Sequence, residues 1–135
     1  MKKKFVDTNI FLRYLTADDR TKYGKCRNLL KSAIDGKVQL ATSGMVIAEL
    51  AWTLLSYYKV PKVDVVEKLS LIIGTDQIFI PDREALAETL VLYGRKNIDF
   101  IDAYNAVFMG RHGMSEIYSY DGDFDRIEGM ERKEP

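Results

Sequence analysis

The sequence has one cysteine, Cys26, one histidine, His112, and no surplus of charge of either sign. A single cysteine excludes an intramolecular disulfide and fits a reducing compartment. A single histidine excludes a two-histidine ribonuclease mechanism. Ser–His catalysis would have to use His112, and no neighbouring motif supports that. Lys plus Arg and Asp plus Glu each total 20, so the broad basic footprint of a duplex-DNA reader is missing. That balance leaves room for an enzyme that meets phosphates through metal ions. No apolar run approaches the roughly 18 residues of a membrane span. The basic start Met1-Lys2-Lys3-Lys4 leads into no apolar signal-peptide core, because Asp7 and Asn9 interrupt it. A cytoplasmic location is therefore expected. No repeat, low-complexity segment or linker breaks the chain, and its 135 residues suit a single domain over 1–135.

What is present is an alternation of short apolar runs with helical patterns. Lys4 to Thr8 reads as a first buried strand, and Ile10 to Leu15 as the start of a helical stretch. Asp18-Asp19 opens a second helix that carries Tyr23, Cys26, Leu30 and Ala33 at helical spacing, with Gly36 as its C-cap. Val38 to Thr42 is a second strand. Ser43 caps a third helix, Gly44 to Tyr58, whose only charge is Glu49. Pro61 opens a fourth helix that ends near Gly74. Gln77 to Pro81 is a third strand, and Asp82 caps a fifth helix reaching about Lys96. Phe100 to Arg111 is a sixth helix, closed near Gly113. Glu116 to Tyr120 is a fourth strand, and the tail after Ile127 holds a candidate edge strand. Strands alternating with helices predict an α/β fold on a parallel sheet with right-handed crossovers.

Four acids stand where a purely structural carboxylate is costly. Asp7 lies among apolar residues at the end of the first strand, where burying a charge costs several kcal/mol unless it is compensated. Thr8 and Asn9 follow it and suit a strand-to-helix turn. Asp121 ends a later strand. In a parallel sheet both would lie at the C-terminal edge, where such folds bind ligands. Glu49 is about six residues past Ser43, so roughly 9 Å along its helix. Asp102 is near the start of its helix and shares a face with Asp99 and Asn105. Four ionised carboxylates crowd together only if cations neutralise them. Oxygen ligands without a His or Cys pair select Mg²⁺ or Mn²⁺. Such a cluster binds phosphate oxygens and activates a water, which points to phosphodiester hydrolysis.

Four segments also carry a resemblance. Asp7-Thr8-Asn9, Ala48-Glu49-Leu50, Asp99-Phe100-Ile101-Asp102-Ala103 and Ser119-Tyr120-Asp121-Gly122-Asp123-Phe124 resemble the acidic motifs of PIN-domain nucleases. The likeness is in particular to the small VapC-type toxins of prokaryotic toxin–antitoxin pairs. It covers essentially the whole chain in order and spacing. It implies a three-layer α/β/α sandwich with a central parallel sheet of four to five short strands. It also implies a Mg²⁺- or Mn²⁺-dependent endoribonuclease, a homodimer, and a small antitoxin partner. By position, the metal-binding acids would be Asp7, Glu49, Asp102 and Asp121. Thr8 or Ser119 would support them, and Asn9 would orient the site. Asp123 and Asp125 compete with Asp121 in the last motif, and Asp99 is an extra candidate ligand.

Blander readings stand beside these. Asp7 alone reads equally well as a turn or cap residue, Glu49 as a partner for Arg13, and Asp102 as a cap, although Asp99 is better placed for that. Asp123 and Asp125 read as a capping and solvated pair. Cys26 reads as core and His112 as a residue at a helix end. Trp52, Tyr57, Tyr58 and Leu54-Leu55 make their helix apolar on more sides than one core requires. That marks either a partner surface or a helix packed on both sides. Lys2, Lys3, Lys4, Arg13, Lys22 and Lys25 are candidate phosphate contacts or solvated charges. Two rival functions remain. One is a receiver-like phosphotransfer module, whose acceptor would have to be Asp82. The other is a PIN-like domain kept only for binding RNA or protein.

Overall fold

A computed structural model describes residues 2–135. The chain forms two compact units, one ending at Arg83 and the other beginning at Glu84. The class is α/β, with six α-helices and strands that pair only in parallel among the described residues.

In the first unit, β1 (Lys3–Phe5), β2 (Gln39–Ala41) and β3 (Ile78–Phe79) form a sheet in the order β1-β2-β3. The pairing continues past the strands: Val6 N–H donates to the Ala41 carbonyl at 2.8 Å, and Thr42 N–H to that of Phe79 at 2.9 Å. The buried Thr42 hydroxyl donates to the Val6 carbonyl at 2.9 Å. These bonds fix the C-terminal edge of the sheet, and two helices start there. α1 (Thr8–Thr16) is N-capped by Asp7 and α3 (Gly44–Trp52) by Ser43. α2 (Arg20–Ile34), capped by Asp19, links α1 to β2, and α4 (Lys62–Ile73) links α3 to β3. The apolar faces of α1, α3 and α4 supply Phe11, Ile47, Leu50, Val65 and Leu69, all fully buried. Each contributes about 1.5–3 kcal/mol through burial.

Three expectations are corrected in this unit. β1 is not a buried strand: Lys3, Lys4 and Phe5 are all exposed, as suits an edge strand carrying lysines. Asp7 is not a buried acid either. Val6 and Thr8 point inward, and Asp7 between them is exposed, because successive extended residues alternate sides. The third helix also does not run unbroken to Tyr58. It ends at Trp52, and a π-helical turn follows over Thr53–Tyr57, in which Tyr58 N–H donates to the Thr53 carbonyl at 3.1 Å. The extra residue keeps Leu54 buried while Trp52 and Tyr57 remain 67% and 73% exposed.

The second unit contains most of α5 (Arg83–Arg95), then α6 (Phe100–Arg111), β4 (Glu116–Tyr118), a 3₁₀ turn (Gly122–Arg126) and β5 (Glu131–Lys133). Leu86, Leu90, Tyr93, Ala103, Phe124 and Ile127 are buried, and Tyr93 meets Phe100 edge-to-face at 5.6 Å. All five short strands exist, but they do not form one hydrogen-bonded sheet. β4 pairs with β5 in register Ile117↔Arg132, separately from the three-stranded sheet. Cys26 is buried core. His112 closes α6, exposed, with its ring 4.4 Å from that of Phe108. Among the described residues, no helix is long and apolar enough to cross a membrane.

Candidate active site

The second unit brings three acids together. α6 begins after Asp99, which holds the N-cap backbone conformation but makes no side-chain cap bond. Asp102 stands in the first turn of α6. Beyond β4, the Ser119 hydroxyl accepts from Asp121 N–H at 3.0 Å, and the Asp121 carboxylate accepts from Asp123 N–H at 2.9 Å. The buried Phe124 anchors this turn from below. The result is that Asp102, Asp121 and Asp123 each offer an oxygen, all within 4.8 Å of one another. Asp102 and Asp123 are half-buried and Asp121 is exposed.

Asp102 shows what this crowding does. Its carboxyl titrates above the usual carboxylate range. Partial burial is the largest cause, followed by the charges of Asp121, Asp99 and Asp123 and a hydrogen bond with Asp121. A group of carboxylates that resists full ionisation favours a cation between its members. The donor set is hard oxygen alone, which suits Mg²⁺ or Mn²⁺ over zinc.

Two arginines flank the cluster. Arg126 donates to Asp123 and to the Asn97 carbonyl at 3.0 Å. Arg132 on β5 forks onto Asp125 at 3.0 and 3.3 Å and donates to the Ser119 carbonyl at 3.0 Å. Asp125 faces the Arg132 guanidinium and is not among the three acids whose oxygens converge. The sequence offered no direct signal for either arginine, since both act through partners that only the folded loop brings near. Asp123 was legible as a candidate, and it joins Asp102 and Asp121.

The other two acids belong to the first unit. Asp7 accepts from Thr8 N–H at 2.7 Å. The Thr8 hydroxyl donates to the Glu49 carboxylate, while Thr8 itself is only 4% exposed. One threonine thus ties both acids at the C-terminal edge of the sheet. Asn9 follows in the first turn of α1, exposed. Glu49 does not pair with Arg13, whose guanidinium meets Asp18 at 3.3 Å instead. Asp82, the acceptor a receiver-like module would need, is an exposed residue at φ 57° between β3 and α5.

The PIN domain family model matches residues 4–130. Two curated relatives, both described as the 23S rRNA-specific endonuclease VapC20, come from Mycobacterium tuberculosis strains CDC 1551 / Oshkosh and ATCC 25618 / H37Rv. Each is 27% identical over 123 residues, spanning 89% of this chain and 90% of the relative. A solved structure described as M. tuberculosis VapC20, a sarcin-ricin-loop-cleaving toxin, is 24% identical, with a TM-score of 0.42 over 93% of this chain and 94% of that one.

Proposed function

Since the chain belongs to the PIN-domain family, we propose that it is a Mg²⁺- or Mn²⁺-dependent endoribonuclease and the toxin of a toxin–antitoxin pair. The observation that supports this most directly is the trio Asp102, Asp121 and Asp123, with oxygens within 4.8 Å of one another and the Asp102 carboxyl pushed up by partial burial and by its acidic neighbours. Asp7, Glu49, Asp102 and Asp121 are the acids assigned to metal binding and catalysis, with Asp123 as a further donor beside Asp121. The family match runs across both units, and on that basis residues 1–135 act as a single nuclease domain.

A bound divalent cation supplies charge neutralisation, contact with phosphate oxygens and acidification of a water. The protein's share is to place oxygens and fix their orientation. Thr8 fixes one oxygen of Glu49 and, through its N–H, one of Asp7. Ser119 and the Asp123 N–H fix the backbone and carboxylate of Asp121. Asp102 stands on a helix, where its position is rigid. The partial burial of Asp102 strengthens its interaction with any cation it meets.

The test is cleavage of end-labelled RNA in Mg²⁺ or Mn²⁺, comparing wild type with Asp7→Asn and Asp102→Asn. Wild type should cut and leave no 2′,3′-cyclic phosphate, because water and not the 2′-hydroxyl attacks. Both variants and an EDTA-treated sample should be inactive. Equal activity in all of them would refute the proposal. The relatives named for 23S rRNA make a ribosomal stem-loop the first structured substrate to try, beside single-stranded RNA. Expression in a bacterial cytoplasm should arrest growth, and a small antitoxin encoded next to the gene should relieve it. A homodimer is the assembly proposed, with Met45 and Trp52 in its interface: they lie seven residues apart on α3 and are both exposed.

A further inference from the structure

Arg132 lies beyond the last acidic motif, and nothing in the reaction as described above assigns it a role. It sits in the middle of β5, where it is the less exposed residue of the strand. Its side chain is only 20% exposed, against 58% and 57% for its acidic partners Asp125 and Glu134. All three of its nitrogens are engaged. Nε and Nη2 fork onto the two oxygens of Asp125 at 3.0 and 3.3 Å. Nη1 donates to the Ser119 carbonyl at 3.0 Å and to Glu134 at 3.1 Å. Ser119 and Asp125 bracket the loop that carries Asp121 and Asp123. One planar guanidinium therefore grips both ends of that loop. A second tie is the backbone bond from Ser119 N–H to the Lys133 carbonyl at 3.0 Å.

We infer that Arg132 is a positioning residue: by clamping Ser119 and Asp125 it holds the Asp121–Asp123 turn in the geometry that presents their oxygens beside Asp102. The inference rests on the metal reading proposed above. It also makes a prediction that simple electrostatics contradicts. Removing a positive charge near three carboxylates should tighten cation binding if charge alone matters. Removing a clamp should weaken it, because the acids then lose their preset arrangement. Lysine keeps the charge but cannot fork onto a carboxylate and hold a carbonyl at once.

The experiment is Mn²⁺ titration by calorimetry of the full chain, with a metal-free thermal melt of each sample. Arg132→Lys, Arg132→Ala and Asp125→Asn should each fold and each bind Mn²⁺ about tenfold or more weakly, the scale seen when groups that orient metal ligands are lost. Amide hydrogen exchange over 121–125 should rise in the metal-free variants. Arg132→Lys has the milder effect on folding and keeps the test decisive if Arg132→Ala fails to fold. Unchanged or tighter Mn²⁺ binding by Arg132→Lys would overturn the clamp, as would wild-type binding by Asp125→Asn. Failure of the wild type to bind Mn²⁺ would instead overturn the metal reading itself, and the positioning role with it.

Discussion

Replacing Asp102 with asparagine should separate stability from function. At neutral pH an ionised Asp102 faces Asp121 and Asp123 at oxygen separations of at most 4.8 Å. Two unit charges at that distance repel by about 0.9 kcal/mol at water-like permittivity, and by roughly 3.5 kcal/mol at an effective value of 20. Asp121 is exposed and Asp123 is partly neutralised by Arg126, so the lower figure governs. Asp102→Asn should therefore stabilise the metal-free protein by about 1 kcal/mol. For a domain of this size that is a rise of roughly 3–5 °C in Tm. The pH dependence follows the same sign. The folded-state pKa of Asp102 is raised, so the folded chain holds this proton more tightly than the unfolded one. Wild-type stability should then fall as pH climbs from the ordinary carboxyl range through the raised value, and Asp102→Asn should lack that contribution. With Mn²⁺ at about 100 times Kd, wild type should gain about 2.7 kcal/mol by binding linkage, and the variant far less. Differential scanning calorimetry with and without Mn²⁺ between pH 4 and 8 reads all three effects. A metal-free variant less stable than wild type, or equal metal-induced gains in both, would refute the reasoning.

Other outcomes follow from neighbouring residues. Asp7→Asn keeps a good N-cap and should leave the melt unchanged while abolishing cleavage. Asp7→Ala should also lose about 1 kcal/mol of stability, a difference that paired melts and RNA assays resolve. Thr8→Val removes the hydroxyl that holds Glu49 and should depress cleavage at least tenfold, whereas Thr8→Ser should restore most of it, read as initial rates at fixed Mg²⁺. Trp52→Glu should shift the protein to monomer in analytical ultracentrifugation without lowering Tm, because the ring it replaces is largely exposed.

How far the sequence carried the fold depends on which signals were local. α6 spans Phe100–Arg111 as expected, because an acid before it and Gly113 after it punctuate an unbroken pattern. Asp19 and Ser43 cap their helices as their side-chain chemistry predicts, and Pro61 stands directly before α4 as expected, without a side-chain cap bond. The strands were harder. They are only two or three residues long, and apolar runs flanking them belong to extended chain outside the ladders. The exposure of Asp7 was misjudged because an apolar neighbourhood in sequence says nothing about which side of an extended chain a residue faces. The π-turn after Trp52 has no signature in composition. Among the acids, the grouping of Asp102 with Asp121 was legible from strand ends and helix starts. The separation of Asp123 from Asp125 was not, since it depends on how the 3₁₀ turn over Gly122–Arg126 directs each carboxylate.

The pairing of β4 with β5 has a consequence for insertions. Parallel strands need a crossover of about a dozen residues or more, and here residues 119–130 alone supply it, with the acids inside. Most exposed loops absorb an extra residue at little cost. This one has no slack. A residue added at Gly129, an exposed turn position at φ 79°, can be absorbed by sliding β5 one step along β4. Since side chains alternate faces, that slip would turn Arg132 away from Asp125 and bring Glu131 or Lys133 into its place. The length of the segment, as much as the identity of its acids, is then under constraint, and substitutions at the exposed Glu128 should be tolerated where single insertions and deletions are not.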